Sequence, residues 1–286
     1  MKQIILTIAL ILLGLEAYAL PLGESDSTNI LRPVNASYAL QIGSIQNTDT
    51  YLSPIKYKGW NIGFNYQRRQ ALKFNPGNWI SQLRIDLDIN KTLNVAKNAA
   101  MWYAGVDFCY SILRRWKLSK GFSLGIGPSA ELNGGCLYLN RNGNNPASAK
   151  ASITINADGY AAWNGNICNL PITLRYQASI PITGIFFSPD YGELYYEIYL
   201  GNHSGLCHWA WPGNFFRLRH WLTADIHLGN TSVQLGYVGE IFSSKANNIV
   251  TQTISHGAMI GISGEWLSVN TRNKISSDAK IISATY

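Results

Sequence analysis

The chain has 286 residues, 47% of them hydrophobic, 12% aromatic and 14% charged, with a formal net charge of +7. An ordinary soluble domain carries about 25% charged residues, and a helical membrane protein needs runs of about 18 apolar residues, which do not recur after the N-terminal stretch. With a mean hydropathy near zero, the apolar residues are dispersed rather than blocked, which is how a β-barrel hides its membrane signal.

The one continuous apolar run is at the start. Lys2, the stretch Ile4 to Leu15 and the small-x-small site Ala17-Tyr18-Ala19 read as a signal peptide over residues 1–19. Its removal takes away Lys2 and Glu16 together, so the charge stays at +7. The basic residues are scattered, and Arg68-Arg69 and Arg114-Arg115 are the densest clusters. That distribution argues against nucleic acid and for membrane lipids as partners, including the anionic head groups of lipopolysaccharide.

Residues 20–35 are polar and read as a periplasmic lead. Residues 36–269 then read as an all-β, antiparallel transmembrane barrel, because period-two alternation recurs throughout. The first strand is expected at 36–45, with Tyr38, Leu40 and Ile42 on one face. The second, 60–69, sets Trp60, Ile62, Phe64 and Tyr66 against Asn61, Gly63, Asn65 and Gln67. The third, 79–89, sets Trp79, Leu83, Ile85, Leu87 and Ile89 against Gln82, Arg84, Asp86 and Asp88. A fourth is read at 99–111, a tight turn at 112–115, a fifth at 116–127, a long loop at 133–150 and a weaker sixth at 151–163.

Residues 170–183 restore the pattern, with Pro171 and Pro181 near the ends. Residues 193–211 admit two short strands, or a helical turn in a long loop. Residues 216–228 alternate Leu218, His220, Leu222, Ala224, Ile226 and Leu228 with Arg217, Arg219, Trp221, Thr223, Asp225 and His227. Gly229-Asn230 makes a hairpin turn, followed by a strand through Val233, Leu235, Tyr237 and Ile241 and a last one at 256–266. Bacterial barrels alternate short periplasmic turns with long outer loops. Turns at 112–115 and 229–231 therefore fall on the periplasmic side, and loops at 47–57, 134–150 and 243–255 outside. The count is twelve strands, with ten as the alternative, and residues 270–286 form a polar tail.

Parity assigns the interior. Arg84, Asp86, Asp88, Asp107, Arg175, Arg217, Arg219, Asp225, Glu240 and Glu265 all face the lumen, with both signs on neighbouring strands. Such charges form a lattice that fills a narrow barrel, since eight to twelve strands leave little room beyond their own side chains. A polar path for small solutes is the second use. Trp60, Trp79, Trp102, Trp116 and Trp266 sit near strand ends as an aromatic girdle.

A lipid-modifying enzyme is the third possibility, raised by His203-Ser204 and His208. Adjacent strand residues point to opposite faces, so His203 and Ser204 could not form a catalytic hydrogen bond there. His220 has lipid-facing parity and His227 lumen parity. Cys109, Cys136, Cys168 and Cys207 lack metal spacing and read as small apolar fillers, with three disulfide pairings open. No catalytic residue, metal or cofactor is expected.

Four segments carry a resemblance: DTYLSPIKYKGW at 49–60, LPITLRYQ at 170–177, GIFFSPDYGELYYEIYLGN at 184–202 and HGAMIGISGEWLSVN at 256–270. They resemble a family of outer-membrane barrels from Bacteroides- and Prevotella-type bacteria that has no assigned activity. The resemblance implies a barrel fold and an outer-membrane location, and no catalytic residue.

Overall fold

Each alternating stretch of the sequence becomes a strand paired antiparallel to the next, and the series closes on itself. The computed structural model describes residues 30–118, 121–229, 231–267 and 279–285. The elements are β1 (Ile30–Leu31), β2 (Val34–Asp49), β3 (Ser53–Ala71), β4 (Trp79–Leu93), β5 (Ala100–Lys117), β6 (Phe122–Leu139), β7 (Ala147–Ile167) and β8 (Leu170–Phe187). There follow α1 (Tyr195–Tyr199), β9 (Cys207–Ala210), β10 (Phe215–Leu228), β11 (Thr231–Ala246), β12 (Ile249–Trp266) and β13 (Lys280–Ile281).

The chain divides into two units. In the small one, β1 pairs in parallel with β13. The large one is the barrel: β2 to β8 pair in sequence, β12 pairs with β2, and β10 pairs with both β11 and β8, which closes the ring. Ten strands close among the described residues, the smaller of the two expected counts. Residues 193–211 supply only α1 and the short β9, which adds to the upper end of β8. "Lower" here means the end of the barrel that carries Val34 and Trp266, and "upper" the opposite end.

The side chains are sorted inside out. Ile42 is 64% exposed and Ile260 61%, whereas Arg84 is 1% exposed and Trp221 2%. Contiguous exposed Leu, Ile, Val, Phe and Tyr on every strand would aggregate in water, so this exterior requires acyl chains as its solvent. Among the described residues no helix is long and apolar enough to cross a membrane, and the crossing is made by strands.

The strands outrun the alternating stretches, and several expected turns move. Residues 112–115 lie inside β5, with Leu113 and Arg115 buried; β5 runs on to Lys117 and β6 begins at Phe122. Arg115 is held by carbonyls, donating to those of Pro76, Gly77 and Ser283, which is why a charge could sit where a strand seemed to end. The expected loops at 47–57 and 134–150 shrink to 50–52 and 140–146, because Asn47, Asp49 and Ser148 point inward to polar partners. The loop expected at 243–255 is a two-residue hairpin. Asn247 and Asn248 take φ of 49° and 60°, the left-handed pair that a type I′ turn demands and that Asn tolerates.

Pro181 lies well inside β8, not near its end. The register slips there: Asn156 pairs with Pro181 and Ile155 with Thr183. A bulge is where a residue without an N–H fits inside a sheet. The expected signal peptide lies outside the described residues, as does most of the expected tail. Residues 282–285 belong to the barrel unit.

Candidate functional site

All ten residues assigned to the lumen by parity point inward. They do not form one cluster. Arg217 and Arg219 on β10 organise the middle of the lumen. The Arg217 guanidinium reaches Asp107 at 2.9 Å, Glu131 at 2.7 Å and Glu240 at 3.2 Å, and Arg219 reaches Asp86 and Asp107 at 2.9 Å and Glu240 at 3.1 Å. Arg84 joins from β4 through Asp86 at 3.3 Å and Glu131 at 3.4 Å. Its guanidinium lies 4.1 Å over the ring of Trp221, and Arg219 lies 5.2 Å from the same ring. These contacts tie β10 to β4, β5 and β6, strands well separated around the ring, so the lattice crosses the lumen instead of lining it. Asn65 donates a further bond to Asp86.

Below this layer the lumen is packed. Gln82 donates to Gln177 across the interior at 3.1 Å. Asp225 accepts from Gln234 and Ser263, and Arg175 lies 4.4 Å over the ring of Tyr160. His227 sits between Thr173 at 2.8 Å and Ser232 at 2.6 Å. The lower mouth carries an apolar cluster of Ile80, Leu113, Tyr160, Ala162 and Ala284. The segment 282–285 is seated there, with the Ser283 carbonyl accepting from Arg115, the Thr285 carbonyl from Asn164, and the Ser283 hydroxyl donating to Glu265.

Above the lattice the lumen widens into a chamber that is open at its mouth, with a cavity volume of about 100 Å³. One wall, from β2 to β4, presents Gln41, Asn47, Asn61, Asp88 and Asn90. The opposite wall, from β8, β10 and β11, presents Phe186, Phe215 and Phe242, whose rings touch with centroids 5.1 and 5.3 Å apart. Arg217, Arg219, Asp107 and Glu240 form the floor. Lys150 lines one side, with its ammonium 2.6 Å from Asp49.

The upper loops fold over this end. Residues 193–211 lie at the upper end, because Tyr195–Tyr199 is a helical turn and Cys207–Ala210 a short strand beside β8, so the chain does not cross the barrel and return there. Tyr51 donates from its hydroxyl to the Glu193 carbonyl at 2.7 Å, and Glu193 accepts from Asn202 and from the Asp190 N–H. Burial, then the neighbouring Tyr195, Glu193, Asp49 and Glu197, pushes the Tyr51 phenol up to about 12, so it stays a donor across the physiological range.

Trp60, Trp79, Trp102, Trp116 and Trp266 all face outward. Trp60 and Trp102 meet edge to face at 6.2 Å near the upper rim, beside Lys91, while Trp79, Trp116 and Trp266 lie near the lower rim. Along β4, the thirteen residues from Trp79 to Lys91 span about 40 Å of strand and, at the usual tilt, about 30 Å of height. That matches a bilayer hydrocarbon core.

His203 and Ser204 sit in the exposed upper loop. A different Ser–His pair meets on the outer surface: Ser44 Oγ lies 2.8 Å from His256 Nε2, on neighbouring strands at the level of Trp60. Among the described residues no carboxylate orients the other nitrogen of this imidazole. Nor does any group of three His, Cys, Asp or Glu there have the geometry to hold a metal ion. The four cysteines are free, with Cys109 buried and the other three exposed, so the expectation of apolar fillers does not describe Cys136, Cys168 or Cys207.

Sequence reading missed Glu131, Arg69, Asp158 and Tyr160. Glu131 and Asp158 fell beyond or inside the weakest strands. Trp221, read on the inward face with Arg217 and Arg219, is buried there.

The fold and its lipid-facing exterior define a ten-stranded transmembrane β-barrel with a charged, largely filled interior. Within that class the chain belongs to the family described as "Protein of unknown function (DUF3316)", which it matches over residues 4–273. No curated protein matches the chain.

Solved structures similar to it include the outer membrane protease OmpT from Escherichia coli, at 6% identity and a TM-score of 0.48 over 85% of this chain and 99% of that one. The translocator domain of the autotransporter NalP from Neisseria meningitidis is similar at 8% identity and a TM-score of 0.36, covering 93% and 98%. The transport unit of the autotransporter AIDA-I from Escherichia coli is similar at 10% and 0.36, covering 87% and 94%. At these identities and scores the likenesses carry no function to this chain.

Proposed function

We propose that this protein is an outer-membrane barrel closed to ions and solutes, with a structural or envelope-interaction role in which it presents its upper end outward. The observation that carries the reading is the lattice around Arg217 and Arg219. It joins strands across the lumen and stands on Trp221, with packed side chains and residues 282–285 beneath it. A solute path would need these charges around a water column, whereas here they are bound to one another. The apolar exterior and its Trp bands support membrane lipids, including lipopolysaccharide, as the surrounding partners.

No covalent chemistry is assigned. His203-Ser204 is in a loop, and among the described residues no carboxylate orients the imidazole of the Ser44–His256 contact. Residues 1–19 are proposed to be cleaved on export, and N-terminal sequencing of membrane-extracted protein should begin at Leu20.

Planar-bilayer recording on the folded chain tests the closed lumen. The expected trace is flat at both polarities; stepwise, ohmic conductance would transfer the protein to the narrow-channel reading. Co-sedimentation with outer-membrane rather than inner-membrane vesicles tests the location.

A further inference from the structure

We propose that the upper chamber is a binding site for a neutral pyranose sugar, free or as the end of a glycan. This rests on the closed-lumen reading, since a cup needs a floor.

The two walls are chemically unlike. Around the ten-strand ring, β3 stands opposite β8, so the amide and carboxylate wall of Gln41, Asn61, Asp88 and Asn90 faces the rings of Phe186 and Phe215 across the gap. A pyranose has the same two-sidedness, with hydroxyls around its edge and a patch of C–H groups on its face. The hydroxyls need donors and acceptors in alternation, which amides and carboxylates supply, and the C–H face packs against an aromatic surface.

Charge decides against an ionic ligand. The cations of the chamber are already bound: Arg217 and Arg219 to Asp107 and Glu240, and Lys150 to Asp49 at 2.6 Å. No surplus positive charge is left to recruit an anion. The acceptors that remain are of the kind a hydroxyl uses. Asn61 is 8% exposed and lines the chamber, and its side-chain oxygen is one of several buried side-chain atoms without a hydrogen-bond partner among the described residues. Of the chamber-lining side chains it is the acceptor left with full capacity for a donor. Asp88 accepts from Gln41 at 2.6 Å and has Arg219 only at 3.9 Å, so its second oxygen has capacity for one more donor.

The test uses the full folded chain in detergent micelles and saturation-transfer NMR with glucose, galactose, mannose and N-acetylglucosamine, each at ~10 mM, a concentration suited to a weak small-ligand site. At least one hexose should receive saturation on its ring C–H protons. Asn61→Leu should weaken it about tenfold, the loss expected when one buried hydrogen bond to a ligand is removed. Asp88→Asn, which keeps the shape, serves as the second variant, and both should keep the gel-mobility shift of a folded barrel on heating.

Linear oligosaccharides of the responding sugar distinguish a free hexose from a glycan end: equal or stronger transfer confined to the terminal unit means end-on capture, and loss of transfer means the free sugar. The proposal is overturned if no hexose responds, if transfer survives both variants unchanged, or if lysine and arginine bind where sugars do not. Bilayer recording on the same preparation keeps the two ideas apart, because a silent barrel that ignores every sugar defeats the chamber proposal and leaves the closed-lumen reading standing.

Discussion

The lower and upper halves of the lumen have the same kinds of residue and opposite organisation. Below Arg217 the side chains fill the lumen: Arg84, Asp86 and Glu131 form ion pairs, Gln82 bonds Gln177, and Trp221 packs between them. Some buried atoms there, such as Gln82 Oε1, Gln177 Nε2 and Asn156 Oδ1, nevertheless have no hydrogen-bond partner among the described residues. Above it the Asn61 oxygen likewise lacks a partner, and three Phe rings line an open chamber. Polarity of a barrel interior therefore does not by itself mean water or solute. What matters is whether the side chains are long enough, and opposite enough in charge, to meet across the axis.

The sharpest way to break this comparison is Arg217→Ala. Three carboxylates lose their shared cation in a site with little water, and removing one member of such a buried network costs about 3–5 kcal/mol. Urea unfolding of the protein in lipid vesicles should show a loss of that order; a loss under about 1 kcal/mol would mean the lattice does not hold the barrel. A smaller effect is expected from deleting residues 282–286, which leaves the Arg115 and Asn164 donors short of partners at the lower mouth. That should cost about 1–3 kcal/mol in the same assay, and an unchanged midpoint would show that the segment is not seated.

In the upper half, Asn61→Leu should change stability by less than about 1 kcal/mol, because the oxygen it removes makes no bond. A large loss would make the chamber wall structural and erase the contrast. The smallest effect is reserved for Ser44→Ala on the outer surface: the acyl composition of the host membrane, measured by mass spectrometry, should not move. A change there would bring the enzyme reading back, on Ser44 and His256 instead of Ser204.

The sequence made the spanning part of the fold legible because lipid enforces it. Every second residue from Leu83 to Ile89 is apolar, as the hydrocarbon layer demands, and the same parity put Arg84, Asp86, Arg217 and Arg219 on the inner side. The rule lapses beyond the hydrocarbon layer, where both faces of a strand can be polar. For that reason the ends of β2, β3, β6 and β7 read as loops, and Glu131 dropped out with them. The stretch 193–211 kept two readings because α1 and β9 are each shorter than a membrane crossing.

The chamber was beyond reach for a different reason. It exists because β3 faces β8 across the closed ring, a relation set by strand number and closure and not by periodicity along any one strand. The strand count and the end of the barrel on which residues 193–211 fall were tied together in the same way, so an error in one carried into the other.

The seat of residues 282–285 bears on how the molecule is made. The ten strands are all present once Trp266 has been added, yet the groove between Arg115, Asn164 and Ile80 is filled by residues 283–285, well beyond the last barrel strand. A chain cut after Trp266 could close its sheet and still lack its stopper, so closing the wall and sealing the mouth are separate events.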